Sequence, residues 1–252
     1  MKQYPLILLF ITILFSCKND KTDNHDSADV TPKTSPKAHS KEESTNGGLY
    51  LPDGFSAIVV IDSIGPSRHI AVNDNGDIYV KLREPKGTLG NMALRDTTGD
   101  GKADIVQRFG DYPNDGTFAT EMRIHNNYLY FSSEQVIYRQ KLTSGKLIPE
   151  SKPEVVLVDY FPQRWHNAKS LAFDKKGNMY VTFSAPTNAC EDPNSQGMTK
   201  GMMPCPGLEV LGSIWKFDEN RLNQSQQDGE MYATGIRSMV AFSWNDEDNN
   251  LY

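Results

Sequence analysis

Four segments of the chain repeat one pattern: an apolar alternating stretch, a polar turn, and a second strand-like stretch containing tyrosine. They run from His69 to Leu82, Thr120 to Ser133, Lys169 to Phe183 and Met239 to Tyr252. Each reads as a β-hairpin, because alternation of period two buries one face of a strand and the Asn, Asp and Gly residues between the stretches favour a tight turn. Aligned on Tyr79, Tyr130, Tyr180 and Tyr252, the copies lie 51, 50 and 72 positions apart. The long interval exceeds the others by about the size of a Pro/Gly/Asn-rich insertion, Ala185 to Gly207. Further strand-like runs follow the hairpins, Val136 to Leu142 with Val155 to Tyr160, and Ser213 to Asp218 with Glu230 to Thr234. Four antiparallel strands in each period of about 50 residues define a blade of a β-propeller. The fold class is therefore all-β, with about four four-stranded blades present. A β-sandwich is the alternative, but it does not require a recurring period. Because the sequence stops inside the fourth hairpin, the expectation is the amino-terminal part of a longer propeller.

Ahead of the repeats, residues 1–17 carry one lysine, Lys2, and the apolar run Leu6 to Phe15. That run is shorter than the roughly 20 residues a bilayer-spanning helix needs, so it reads as a signal peptide. Leu14, Phe15, Ser16 and Cys17 resemble a bacterial lipobox, in which the cysteine becomes the lipidated amino terminus; an ordinary signal peptide with a chance cysteine is the alternative. Residues 18–47 are polar and charged with scarcely an apolar side chain, too little buried surface to offset ordering entropy, and read as a disordered tether. Residues 48–252 are left for the propeller. The expected location is the cell envelope, bound to a membrane through the lipid.

The formal net charge of −6 includes no basic stripe, which argues against a nucleic-acid partner. Cys190 and Cys205 both lie in the insertion of a chain expected in an oxidising compartment, so a disulfide closing that loop is the preferred reading over two free thiols or an incomplete metal pair. Asp96, Thr98, Asp100 and Asp104 stand at positions one, three, five and nine of an EF-hand-like loop with Gly101 at six. Calcium is one reading. Gln107 replaces the bidentate glutamate at position twelve, and a solvated acidic turn between strands is the other. Met198, Met202 and Met203 lie in a glycine-rich loop that gives soft-metal ligands no fixed geometry.

In a propeller, the loops that precede the hairpins open at the central channel. Counting back from the aligned tyrosines, His166 and Arg237 occupy such loops, whereas the two earlier loops offer only Arg68 and Asp115. A histidine can take a proton from a hydroxyl, and an arginine can hold an oxyanion without losing its charge. Together they suit alcohol oxidation or hydrolysis.

The segment Trp165-His166-Asn167-Ala168-Lys169-Ser170-Leu171-Ala172-Phe173, followed by Gly177-Asn178-Met179-Tyr180-Val181, resembles the histidine-bearing region of the sorbosone and glucose dehydrogenase family. Tyr232-Ala233-Thr234-Gly235-Ile236-Arg237-Ser238 is similar to that family's ATG-x-R-N segment, with Ser238 in place of asparagine, and Gly212 to Asp218 resembles the strand leading to it. The insertion around Asn188 to Pro193, with Pro204 and Cys205, looks most like the sorbosone branch. The resemblance implies a six-bladed quinoprotein propeller using pyrroloquinoline quinone (PQQ) and calcium, with a sugar or related alcohol or aldehyde as substrate. It assigns His166 as general base and sets Arg237 against cofactor and substrate oxygens. In that family, later blades supply calcium ligands and further basic residues. The electron acceptor is left undetermined. A non-catalytic surface propeller binding glycan or protein is the alternative function, and a calcium-dependent lactonase-like hydrolase is a weaker third because its convergent acidic residues are not visible.

Overall fold

A computed structural model of the protein describes residues 46–113, 121–160, 168–192 and 199–252. The first blade is β1 (Ser67–Val72), β2 (Ile78–Lys86), β3 (Leu89–Arg95) and β4 (Ile105–Phe109), paired antiparallel in sequence order. The second is β5 (Met122–His125), β6 (Tyr128–Ser132), β7 (Val136–Lys141) and β8 (Glu154–Val158). The third is formed by β9 (Leu171–Phe173), β10 (Asn178–Phe183), β11 (Ser213–Asp218) and β13 (Glu230–Thr234). Between β11 and β13 the chain makes a two-residue strand, β12 (Gln224–Ser225), that pairs parallel with β8 on the outer edge of the second blade. A fourth sheet begins with β14 (Trp244–Asn245) and β15 (Asn250–Leu251). The four predicted hairpins are therefore the inner strand pairs of successive sheets. The last is much shorter than the others.

The turns explain the hairpins locally. His125 pairs with Tyr128 across Asn126 and Asn127, whose φ values of 47° and 61° are the left-handed pair of a type I′ turn. That turn matches the twist of antiparallel strands, and asparagine is among the residues that adopt left-handed φ most readily.

Alternation along each second strand sends side chains to two different interfaces. In β6, Leu129 and Phe131 pack toward the first blade with Tyr79, Phe109 and Tyr112, while Tyr130 packs toward the third with Phe173, Val181 and Phe183. In the first three copies the repeating tyrosine faces the next blade: Tyr79 joins the cluster with the second blade, Tyr130 that with the third, and Tyr180 that with Phe242 of the fourth. Each phenol also has a polar partner. The Tyr79 hydroxyl donates to the Leu147 carbonyl at 3.0 Å, Tyr180 to Asp174 Oδ2 at 3.0 Å, and Tyr130 accepts from Arg139 at 3.4 Å. A buried tyrosine needs such a partner for its hydroxyl, whereas its ring supplies the apolar surface that holds the blades together. On the other face of the first blade, Val80, Leu82, Met92 and Leu94 are covered by Val60, Ile61 and Ile64 from the segment leading into it.

Candidate functional site

The site is built where each blade's inner strand begins, because those positions follow the loops that enter from the preceding blade. At one shared register stand His69, within β1 and paired with Lys81, and Glu121 and Ser170, each just ahead of the first paired residue of its strand. All three reach across to the adjoining blade. His69 Nε2 lies 3.8 Å from Glu121 Oε1, the Leu171 N–H donates to Glu121 Oε2 at 3.0 Å, and the Ser170 hydroxyl lies 2.6 Å from the Val240 carbonyl and 3.2 Å from that of Met239. A polar stitch therefore runs from the first blade through the second to the third and on to the segment ahead of β14. The last of its links sets the start of β9 beside the segment that carries Arg237.

Glu121 is the most perturbed member. Burial pushes its carboxyl up to about 7 from an ordinary 4.5, against the opposing pull of the Arg123 guanidinium and the N–H groups of Leu171 and Met122. Among the described residues, Arg123 and His69 face it, with Arg123 Nε 3.9 Å away. The folded protein keeps this proton where the unfolded chain has released it. The group's contribution is thus fully present below about 4.5 and is lost as pH rises toward about 7. Glu121→Gln is expected to remove this slope, shrinking the difference in unfolding free energy between about pH 5 and about pH 8 by on the order of 3 kcal/mol in urea titrations.

A second buried group flanks the segment of sequence that contains His166. Lys169 Nζ lies 2.6 Å from Asp159 Oδ2, with the two side chains 1% and 3% exposed, and the ammonium also sits 5.5 Å above the Phe183 ring. Asp159 ends the second blade and Lys169 begins the third. His166 itself lies outside the described residues, as do Cys17 and Asp115.

Arg237 sits between β13 and β14, exposed at the rim of a cleft, and its carbonyl accepts from the Ala185 N–H at 2.7 Å. That bond ties the root of the insertion to the arginine segment. Ser238 Oγ is 3.4 Å from Ser184 Oγ, a second link between the same two segments. Within the insertion Cys190 and Cys205 are bonded, with Cα atoms 5.8 Å apart. The cleft they help enclose has a volume of about 500 Å³ and is walled mainly by apolar side chains.

The acidic loop joins β3 to β4. Asp96 accepts from the N–H groups of Gly99 and Gly101 at 2.7 Å each, and Asp104 from that of Thr97 at 2.7 Å. These backbone donors hold both carboxylates below the usual carboxylate range. Among the described residues no group of three histidine, cysteine or acidic side chains converges on one point.

Sequence reasoning singled out Arg237 and the cysteine pair but passed over Glu121, Asp159 and Lys169. A signal for two of them existed, since Glu121 and Lys169 are charged residues standing where an apolar alternation begins in consecutive repeats.

No protein-family profile matches the chain, and no curated protein matches it in sequence. Among solved structures, the holo form of the PQQ domain of pyranose dehydrogenase from Coprinopsis cinerea aligns with a TM-score of 0.62 at 12% identity, over 80% of this chain and 46% of that one. The calcium structure of a Trichoderma reesei carbohydrate-active enzyme of family AA12 aligns with a TM-score of 0.58 at 13% identity, over 78% and 47%. The described architecture is thus that of a β-propeller, and the chain spans about half the length of the solved chains it matches.

Proposed function

We propose that this protein belongs to a PQQ-dependent dehydrogenase of a sugar or related alcohol or aldehyde, exported and held at a membrane by lipid on Cys17. The observation that carries this reading is the stitch from Ser170 to the Met239 and Val240 carbonyls, which brings the start of the third blade, four residues past His166 in sequence, against the Arg237 segment. His166 and Arg237 are the residues on which the family resemblance rests. The likeness to the PQQ domain of pyranose dehydrogenase supports the fold this chemistry requires.

The donor set fits a polyanionic quinone in one respect and limits it in another. Arg237 is exposed at the cleft rim, so its guanidinium offers a permanent charge to a carboxylate or quinone oxygen. Lys169 is committed to Asp159 at 2.6 Å and is not a counter-ion for the cofactor. Bound PQQ supplies the two-electron acceptor for hydride from the carbinol carbon. The chain's own part is to take the hydroxyl proton on His166 and to orient the oxygens with Arg237. Calcium belongs to the reading as a companion of the quinone, with the Asp96 loop as a separate structural candidate.

The test is a titration of the full chain, purified from membranes and carrying acyl chains on Cys17 by intact mass, with PQQ and calcium. Saturable binding is expected, weakened about ten-fold or more by Arg237→Ala, the loss of a charge-assisted contact. Absence of binding would turn the assignment toward a propeller kept for recognition of glycan or protein.

A further inference from the structure

Beside Arg237, where a sugar-oxidising site would be expected to present hydroxyl-binding groups, the insertion presents an apolar wall. Pro186, Met202, Leu208, Leu211 and Ile236 line the cleft of about 500 Å³ together with Gly212. A Cβ at Gly212 would meet Leu208 Cδ2 at 3.2 Å and the Ile236 carbonyl oxygen at 3.3 Å, so a side chain there would crowd these two walls. The volume falls within the range of small-molecule sites, roughly 300–1,000 Å³. The walls are braced before any ligand arrives. The Cys190–Cys205 bond joins the two arms of the loop, Met202 N–H donates to the Cys190 carbonyl at 2.9 Å, Leu211 N–H to Gly207 at 2.7 Å, and Ile236 N–H to Gly212 at 2.8 Å. Bracing of this kind lowers the ordering cost of binding.

Resting on the dehydrogenase reading, we infer that the substrate is not a bare sugar but a sugar or sugar-like alcohol bearing an apolar substituent, which this cleft receives. A hydroxylated ring pressed against these side chains would give up hydrogen bonds to water with few partners in return, whereas an aryl or alkyl group gains from the same contact. The insertion thus selects substrates by the group next to the reacting alcohol.

The experiment compares 3-O-benzyl- and 6-O-benzyl-D-glucose with the corresponding methyl ethers, by calorimetric binding to the full quinone-loaded chain and by oxidation assay. At least one benzyl ether is expected to bind about ten-fold tighter than its methyl counterpart, in keeping with the apolar area a phenyl group buries. Leu208→Asp, on a side chain 37% exposed, should bring that ratio to near unity, while Leu208→Met should retain it and the thermal midpoint confirms folding. Equal binding of benzyl and methyl ethers overturns the inference, as does a preference that survives both Leu208→Asp and Ile236→Asp. The two readings separate cleanly. A benzyl preference in a chain that does not bind the quinone removes the dehydrogenase assignment and leaves the cleft; quinone binding with no benzyl preference does the reverse.

Discussion

Lys169→Met is expected to destabilise the protein by about 3–5 kcal/mol, the cost of leaving a buried carboxylate without its cation. The Lys169 and Asp159 side chains are 1% and 3% exposed and 2.6 Å apart, so neither charge is relieved by bulk water. Methionine preserves most of the packing over Phe183 and removes the charge alone. The complementary double change, Lys169→Met with Asp159→Leu, should recover most of the loss, because replacing both members of a buried pair by apolar groups is often close to neutral. Urea unfolding followed by tryptophan fluorescence measures both. A loss below about 1 kcal/mol for the single variant would mean that the pair behaves as an exposed one.

His166→Ala should lower turnover by about 10²–10⁴-fold in quinone-loaded protein, the range expected when a general base is removed. On the proposed reading the histidine removes the carbinol proton, so quinone affinity should change little while the chemical step slows. The loss belongs in kcat, and the acidic limb of the pH–rate profile, where the imidazole would titrate, should disappear with it. Turnover at the wild-type rate would take His166 out of the mechanism and leave Arg237 as a binding residue alone.

The propeller was legible because its period is written in a residue that performs the same task in the first three copies. Tyr79, Tyr130 and Tyr180 face the following blade, a requirement of packing sheet against sheet, and so they recur at nearly constant spacing. The insertion was visible as an interruption of that spacing. Its bonded cysteines and the arginine beside its root come from the part of the chain where local composition departs most from the repeat. Strands β3 and β4 were not singled out, since a nine-residue acidic loop separates them and β4 exposes Ile105 and Val106 on a face that does not read as half-buried. Partnerships between distant positions left no local trace. Glu121 finds Leu171 fifty residues on, and Gln224 finds Leu157 in another blade; neither pairing alters the hydrophobic alternation that surrounds it. The apolar cleft was hidden for a similar reason, because its wall is assembled from both arms of the insertion and from Ile236 beyond β13.

The parallel strand β12 changes what counts as a unit of stability in this molecule. Repeat proteins grow and shrink by duplicating or losing one module, and each module's stability is approximately its own plus an interface term. Here the third module lends the second its fifth strand, with Gln224 buried and its side-chain amide bonded back to the Asp218 and Arg221 carbonyls. Deleting the third blade would strip β8 of a partner and expose its hydrogen-bonding edge to other chains. The second blade's outer edge thus depends on residues that belong to the third, so the stability of the two blades is coupled beyond their packed interface.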